Sequence, residues 1–245
     1  MKKISIATGS MIVLVLSALS VLAQTQSRDD VIKEIEAKRA ELAVLEQKVL
    51  AVADSDRAEF AAFLSQPNTG IVRLLPRETY DGNAKRGLGI RGGGAYYSFV
   101  RKTHEYGYGS DIELAQNYLS VGFAGADYGL LLNLGDASLE QVANDHAATR
   151  ALLDYTPPVR AAEVRAEHRK LWQGIELSGF TFKSRIPAKV SNTYLLRSIS
   201  MDTSDTMVVF RIVRKDTDES LILIYKLLKI FPKPKMERTP ITEGN

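Results

Sequence analysis

The fold is decided by Met207-Val-Val-Phe-Arg-Ile-Val-Arg214 and, after a short polar break, Ser220-Leu-Ile-Leu-Ile-Tyr-Lys-Leu-Leu-Lys229. Both segments are rich in β-branched, aromatic and aliphatic residues, and Asp216-Thr217-Asp218 supplies a turn between them. Two segments of similar character, Glu176 to Ile186 and Val190 to Ile199, come before them. The pattern predicts four consecutive strands in an antiparallel meander.

Alternation within the last segment predicts which surfaces of this sheet are covered. Leu221, Leu223 and Tyr225 fall on one face of a strand, because successive side chains point to opposite sides. Ile222 and Ile224 fall on the other face and are also apolar. Both faces should therefore be covered, as in a sandwich or in a sheet that carries helices.

The middle of the chain contains further strand signals. Gly94 to Val100 is rich in aromatic strand formers, and Tyr128 to Leu134 fits a buried strand. Asp111 to Leu114 and Tyr118 to Phe123 flank Gln116-Asn117, which predicts a hairpin.

Two helices are predicted between these strands and the final meander. Asp136 or Ser138 can cap a helix that carries Leu139, Val142, Leu152 and Leu153 on its apolar side. Thr156-Pro157 favours a second helical start, and Gly174 favours its end.

The N-terminal part of the mature chain is predicted to be helical. Ser27 to Ala53 reads as a helix in which Ile35, Leu42 and Val49 recur every seven residues. This repeat is compatible with self-association and equally with docking on the protein's own domain. A turn-rich linker at residues 66–70 then separates a helical segment, residues 24–65, from a β-rich domain, residues 66–245, with a basic C-terminal tail. The expected fold class is α+β: an N-terminal amphipathic helix, then a mainly antiparallel β-rich domain with two inserted helices.

Residues 1–23 predict a cleaved signal peptide. Lys2 and Lys3 precede a short apolar run from Met11 to Leu22, and cleavage is expected after Ala23. The apolar run is shorter than the roughly 20 residues that a spanning helix needs, so no integral membrane segment is expected after cleavage. The protein is therefore expected in the periplasm or outside the cell.

Composition restricts the chemistry. The chain has no cysteine, which excludes disulfides, thiolate metal sites and catalytic thiols and favours a bacterial exported protein. The net charge of +3 includes Lys2 and Lys3, so nucleic-acid binding has no electrostatic support. The three histidines show no metal-binding spacing, and no metal site is expected.

One literal nucleotide-binding pattern is rejected. Gly87 to Gly92 matches GxGxxG, but a polar turn precedes it and glycines, not a helix, follow it. We expect a loop whose backbone approaches another group closely, and no cofactor.

The segment from Arg91 to Asp111 is the best candidate for contact with a ligand. It combines glycines, tyrosines and charges, which is typical of a binding loop with aromatic contact area. The candidate residues are Arg91, Tyr96, His104, Glu105, Tyr106, Tyr108 and Asp111. An exposed surface that contacts a glycan or a protein is expected here.

These observations favour an exported, non-catalytic binding or envelope-associated protein. One alternative is a hydrolase that acts on an extracellular polymer through His104, Glu105 and Asp111, which would require the three groups to meet in one pocket. Another is a structural oligomer assembled through Ile35, Leu42 and Val49.

Overall fold

The computed structural model describes residues 27–107, 109–123 and 126–237. The predicted signal peptide and Tyr108 lie outside the described residues. The helices are α1 Arg28–Leu50, α2 Asp54–Glu59, α3 Ala61–Leu64, α4 Arg77–Tyr80, α5 Leu139–Asp145, α6 Ala147–Asp154 and α7 Ala161–Gln173. The strands are β1 Thr69–Leu74, β2 Tyr96–Tyr97, β3 Ile112–Ala115, β4 Tyr118–Ser120, β5 Asp127–Asn133, β6 Ile175–Leu177, β7 Phe180–Phe182, β8 Arg185–Pro187, β9 Thr193–Ser200, β10 Ser204–Lys215 and β11 Leu221–Ile230.

The fold is α+β, as the sequence predicts, and its largest element is a five-stranded sheet. The strand order is β1-β11-β10-β9-β5, and every neighbouring pair is antiparallel. Strands β9, β10 and β11 are the last three strands of the predicted four-stranded meander. They place long apolar stretches at the centre of the sheet, where both faces can be covered.

A second, four-stranded sheet has the order β2-β3-β4-β8 and is also antiparallel. Its β3–β4 hairpin turns at Gln116 and Asn117, as predicted. Both residues have positive φ, 52° and 60°, which is the backbone of the tight turns that join twisted hairpins.

The prediction of one strand over Glu176 to Ile186 is wrong. Ser178 and Gly179 both have positive φ and turn the chain back, so that β6 and β7 form a separate hairpin. The chain then passes to β8, which pairs with β4 in the small sheet.

Two cores lie on opposite faces of the large sheet. The first fills the space toward the small sheet and includes Leu119, Phe210 and Leu223. The second fills the space toward the helices and includes Val142 and Ile224. The prediction that both faces are covered is confirmed, and the layer order is small sheet, large sheet, helices.

The first helix of the helical layer starts where expected, but the single predicted helix is divided into two, α5 and α6. Ser138 Oγ accepts a hydrogen bond from the Gln141 N–H at 3.3 Å and caps α5. The predicted single helix breaks at His146, whose Nδ1 accepts from the Ala148 N–H at 3.1 Å and caps α6.

The start of α7 also differs from the prediction. It begins at Ala161 rather than at Pro157. Pro158 follows Pro157, and a residue that precedes proline is pushed out of the helical region. Gly174 ends α7 with φ of 119°, as expected.

A buried ion pair ties the helical layer to the large sheet. Arg197 donates to both carboxylate oxygens of Asp205, at 2.9 and 2.8 Å, and both residues are 2% exposed. Its remaining nitrogen donates to the carbonyls of Leu152 and Tyr155 at the end of α6, at 2.6 and 2.7 Å. The donors of this buried guanidinium are therefore used inside the protein.

The chain divides into two compact units between Leu42 and Ala43. Within the first unit, Ser27 caps α1 through the Asp30 N–H, and the side chains of Ile35 and Leu42 are 43% and 49% exposed. Within the second unit, Val49 packs against a small core that contains Leu75. Over the residues that the structure covers, no helix is both long and apolar enough to span a membrane.

The glycine-rich loop at Gly87 to Gly92 approaches another element closely, as expected. The Gly89 N–H donates to the Glu46 carboxylate near the end of α1. A Cβ atom at Gly89 would lie 3.1 Å from that carboxylate. The loop therefore fits against Glu46 and not around a phosphate.

Candidate functional site

The outer face of the small sheet carries a row of polar side chains. Ile112 and Leu114 of β3 point into the core between the sheets, so Glu113 points the other way. The row contains one residue from each of the four strands, because the pairing between strands places these residues side by side. They are Tyr96, Glu113, Ser120 and Arg185. With neighbouring strands about 4.8 Å apart, the row is roughly 14 Å long.

This row is the floor of an open cleft of about 900 Å³. One wall is formed by Arg77 and Asp81, at and after α4. Arg91 and Tyr106 flank the β2 end of the floor, and Trp172 of α7 lines the cleft as well. The cleft thus draws its lining from segments that are far apart in the sequence.

Glu113 organises the centre of the floor. Its side chain is 9% exposed, and its Oε1 accepts from the Tyr96 hydroxyl at 2.6 Å and from Arg77 Nη1 at 3.0 Å. Burial, together with the hydrogen bond to Glu113, raises the pKa of Tyr96 above its ordinary value, so Tyr96 keeps its proton and donates. Arg77 also lies 3.4 Å from the carboxylate of Asp81.

The β2 end of the cleft is aromatic and cationic. The ring of Tyr96 lies 4.5 Å from that of Tyr106 and 5.1 Å from that of Phe123, measured between centroids. The Arg91 guanidinium lies 5.2 Å from the Tyr106 centroid. Among the described residues, no carboxylate forms an ion pair with Arg91.

Two glycines make room for these groups. A Cβ atom at Gly92 would lie 2.5 Å from the Tyr96 ring, and one at Gly107 would lie 2.9 Å from Arg91 Nη1. Both have positive φ, 85° and 113°. A larger residue at either position would strain the backbone and displace a side chain of the cleft.

The β8 end repeats the combination of arginine and aromatic rings. The Arg185 guanidinium lies 4.2 Å from the Tyr118 ring centroid and 6.0 Å from that of Trp172, and Nη2 donates to Gln116 Oε1 at 3.0 Å. Trp172 is 61% exposed. Arg185 likewise has no ion-pair partner within the part of the chain that the structure describes.

Ser184, which also lines the cleft, carries an unsatisfied polar atom. Its hydroxyl is buried and has no hydrogen-bond partner among the described residues. A buried polar group without a partner costs stability.

No family model, curated protein or solved structure matches this chain. The described residues contain no group of three histidine or carboxylate side chains that could hold a metal ion.

Three of the candidates from the sequence, Arg91, Tyr96 and Tyr106, line the cleft. Glu105 is exposed on its loop and is not among the lining residues, and Tyr108 lies outside the described residues. The expectation of an exposed surface is wrong for Ala95 to Phe99, which are buried. Tyr97 and Phe99 are part of the core between the two sheets.

The other two candidates are structural. His104 Nε2 lies 2.7 Å from the Arg73 carbonyl oxygen, and burial lowers the pKa of its ring although that contact opposes the shift. Asp111 is 1% exposed and accepts from the Phe99 N–H at 2.8 Å and from Thr206 Oγ1 at 3.2 Å. Burial raises the pKa of Asp111 to about 6 despite these hydrogen bonds. Neither residue lines the cleft.

Sequence reasoning missed most of the lining, including the five residues on which the site most depends: Arg77, Glu113, Phe123, Trp172 and Arg185. A signal existed for Glu113, because a single charge between the apolar Ile112 and Leu114 marks the outward face of a half-buried strand. Arg185 gave no such signal, since its role depends on which strand β8 joins.

Proposed function

We propose that this protein is a non-catalytic binding protein whose ligand occupies the cleft on the outer face of the small sheet. The observation that carries the proposal is a combination found at each end of the cleft: a guanidinium with no acidic partner among the described residues, beside accessible aromatic rings. Charged groups and rings of this kind give orientation and contact area to a ligand.

The floor is organised for binding. The hydrogen bonds from Tyr96 and Arg77 hold Glu113 in one position before any ligand arrives, and preorganisation of this kind lowers the entropic cost of binding. The Oε1 atom of Glu113 already accepts hydrogen bonds from these two donors.

The geometry of the cleft supports the hydrolase alternative less well. It requires His104, Glu105 and Asp111 to meet in one pocket, and none of them lines the cleft. His104 instead contacts a backbone carbonyl, and Asp111 is enclosed in the core.

We also propose export to the periplasm or the extracellular space. Support comes from the sequence alone, from Lys2, Lys3 and the apolar run that ends before Ala23. Ligands available there include envelope glycans and other exported proteins.

A second candidate function is assembly through α1. It is favoured by the exposure of Val31, Ile35 and Leu42 on one helix, at 39%, 43% and 49%. The third heptad position, Val49, is instead half-buried in the second unit, so an intermolecular seam would be short.

The cleft provides its own reporter for an experiment, because Trp172 is the only tryptophan in the chain. Titration of the mature protein with envelope glycan fragments and peptides should change tryptophan emission for the ligand that binds. Tyr106→Ala should weaken that response, and Tyr118→Ala should do the same from the other end. Binding seen by calorimetry with neither a fluorescence change nor an effect of either substitution would place the ligand elsewhere and contradict the proposal.

A further inference from the structure

Among the described residues, two of the arginines that line the cleft have no carboxylate as an ion-pair partner. Three arginines and three carboxylates line it. Arg77 is shared by Glu113 and Asp81, at 3.0 and 3.4 Å. Arg91 and Arg185 remain: Arg185 is the last member of the row across the small sheet, and Arg91 lies beside Tyr106 at the opposite end. The third carboxylate, Glu78, accepts from the Gln116 N–H at 2.9 Å.

Both remaining guanidiniums are oriented by neighbouring rings. Arg91 lies over Tyr106 and Arg185 over Tyr118. A stacked guanidinium keeps its N–H groups at the edge of its plane, where they can donate to two oxygens of one carboxylate. A ligand that uses both cations must therefore extend along the roughly 14 Å row and carry negative charge at more than one position.

The surface between the two cations suits sugar rings. The floor between them presents the hydroxyl of Ser120 and the largely buried carboxylate of Glu113, and at the β8 end Trp172 adds an exposed indole. Sugars have hydroxyl groups that donate and accept and a C–H face that packs on an aromatic ring. We infer that the ligand is an acidic oligosaccharide whose carboxylate groups pair with Arg91 and Arg185, an inference that rests on the function proposed above.

An extended peptide fits the cleft less well. Peptides in extended form gain most of their affinity by adding a strand to a sheet edge through main-chain hydrogen bonds. The floor of this cleft is the face of a sheet, and the central strands β3 and β4 are paired on both sides. This surface offers contacts from side chains. A flat polyhydroxylated ligand binds through contacts of that kind.

The inference is tested with three carboxylate-bearing probes: oligogalacturonate, a hyaluronan tetrasaccharide and an alginate oligomer. Each is compared by calorimetry with its methyl-esterified form, which is uncharged but similar in shape. At least one acid form should bind roughly tenfold or more tightly than its ester. Its affinity should fall as salt rises, since partly exposed charge pairs are screened.

Variants locate the charge contacts. Arg91→Gln and Arg185→Gln should each reduce the affinity for the acid form by roughly tenfold while leaving the affinity for the ester nearly unchanged. The matched control is Arg150→Gln on α6, an exposed arginine paired with Asp145 outside the cleft, and it should bind like the wild type. Thermal melts run in parallel show that the variants fold.

The results separate the inference from the function on which it rests. Equal affinity for acid and ester forms would overturn the assignment of an acidic ligand and leave a cleft that binds neutral sugars. Failure of all three acidic sugars, together with binding of a triglutamate peptide that responds to Arg91→Gln, would overturn it in favour of a peptide. Saccharide binding that is insensitive to Tyr106→Ala, Tyr118→Ala and both arginine variants would overturn the inference and the proposed function together.

Discussion

Glu113 holds two other side chains in place at the centre of the cleft. Tyr96 and Arg77 both donate to its Oε1, so its removal leaves two donors without their acceptor. Glu113→Ala should therefore lower the free energy of unfolding by about 1–3 kcal/mol and weaken ligand binding. Denaturant titration and calorimetry measure these effects. Glu105→Ala, a change of the same kind at an exposed loop residue, is the control and should alter neither.

Asp111 should make stability depend on pH in a direction opposite to that of a salt-bridged carboxylate. Its pKa is about 6 in the folded protein against 3.8 unfolded, because burial disfavours the charged form. The stabilising contribution of Asp111 is fully present below 3.8 and is lost as the pH rises through 6.

The substitution Asp111→Asn isolates this contribution. The free energy of unfolding of the wild type, relative to the variant, should fall by up to about 3 kcal/mol between about pH 3.5 and pH 7.5. His104, whose pKa is lowered by burial, titrates in the opposite direction but is present in both proteins and cancels. A difference that does not change with pH would show that folding does not raise the pKa of Asp111 and would contradict this account.

At the scale of elements, β11 depends on its coverage by both neighbouring layers. Leu223 is fully buried in the core between the two sheets. Leu223→Ala should lower the free energy of unfolding by roughly 2–5 kcal/mol, because it removes buried contacts and leaves a cavity. Leu153→Ala on α6 is the matched control, since Leu153 is 39% exposed. An unchanged denaturation midpoint for Leu223→Ala would remove β11 from the core.

The α1 helix gives a prediction for the second candidate function. If Ile35 and Leu42 form an intermolecular seam, then Leu42→Glu should convert an oligomer to a monomer, because burial of an unpaired charge is costly. Ala40→Glu on another face of the same helix should not. Light scattering that shows the unmodified mature chain to be monomeric at high concentration would exclude the seam.

The elements show which parts of a fold local sequence patterns can predict. The β9–β11 meander, the Gln116-Asn117 turn and the end of α7 at Gly174 follow from side-chain alternation and glycine or asparagine geometry, and all three were predictable. The break at His146 was not, because it depends on a histidine that caps α6 through Nδ1. The division of Glu176 to Ile186 into three strands depends on a tight turn at Ser178 and Gly179 and on a tertiary partner, β4, for the third strand.

At the scale of the whole molecule, the cleft is assembled from residues between Arg77 and Arg185. The Arg91 to Asp111 segment supplies only the β2 end of the cleft. The sequence therefore predicts residues at that end alone. Pairing of β8 with β4 places Arg185 in line with Glu113. The two strands are more than 60 residues apart, so the local spacing of apolar residues does not predict that they pair.

If the outer face of the small sheet is the binding site, amide chemical-shift mapping of the mature protein with an acidic oligosaccharide should locate the ligand there. We expect the largest shifts on the four strands of the floor, around Tyr96, Glu113, Ser120 and Arg185, and on the indole N–H of Trp172. Shifts concentrated on the helical layer or on α1, with the floor residues unchanged, would contradict it.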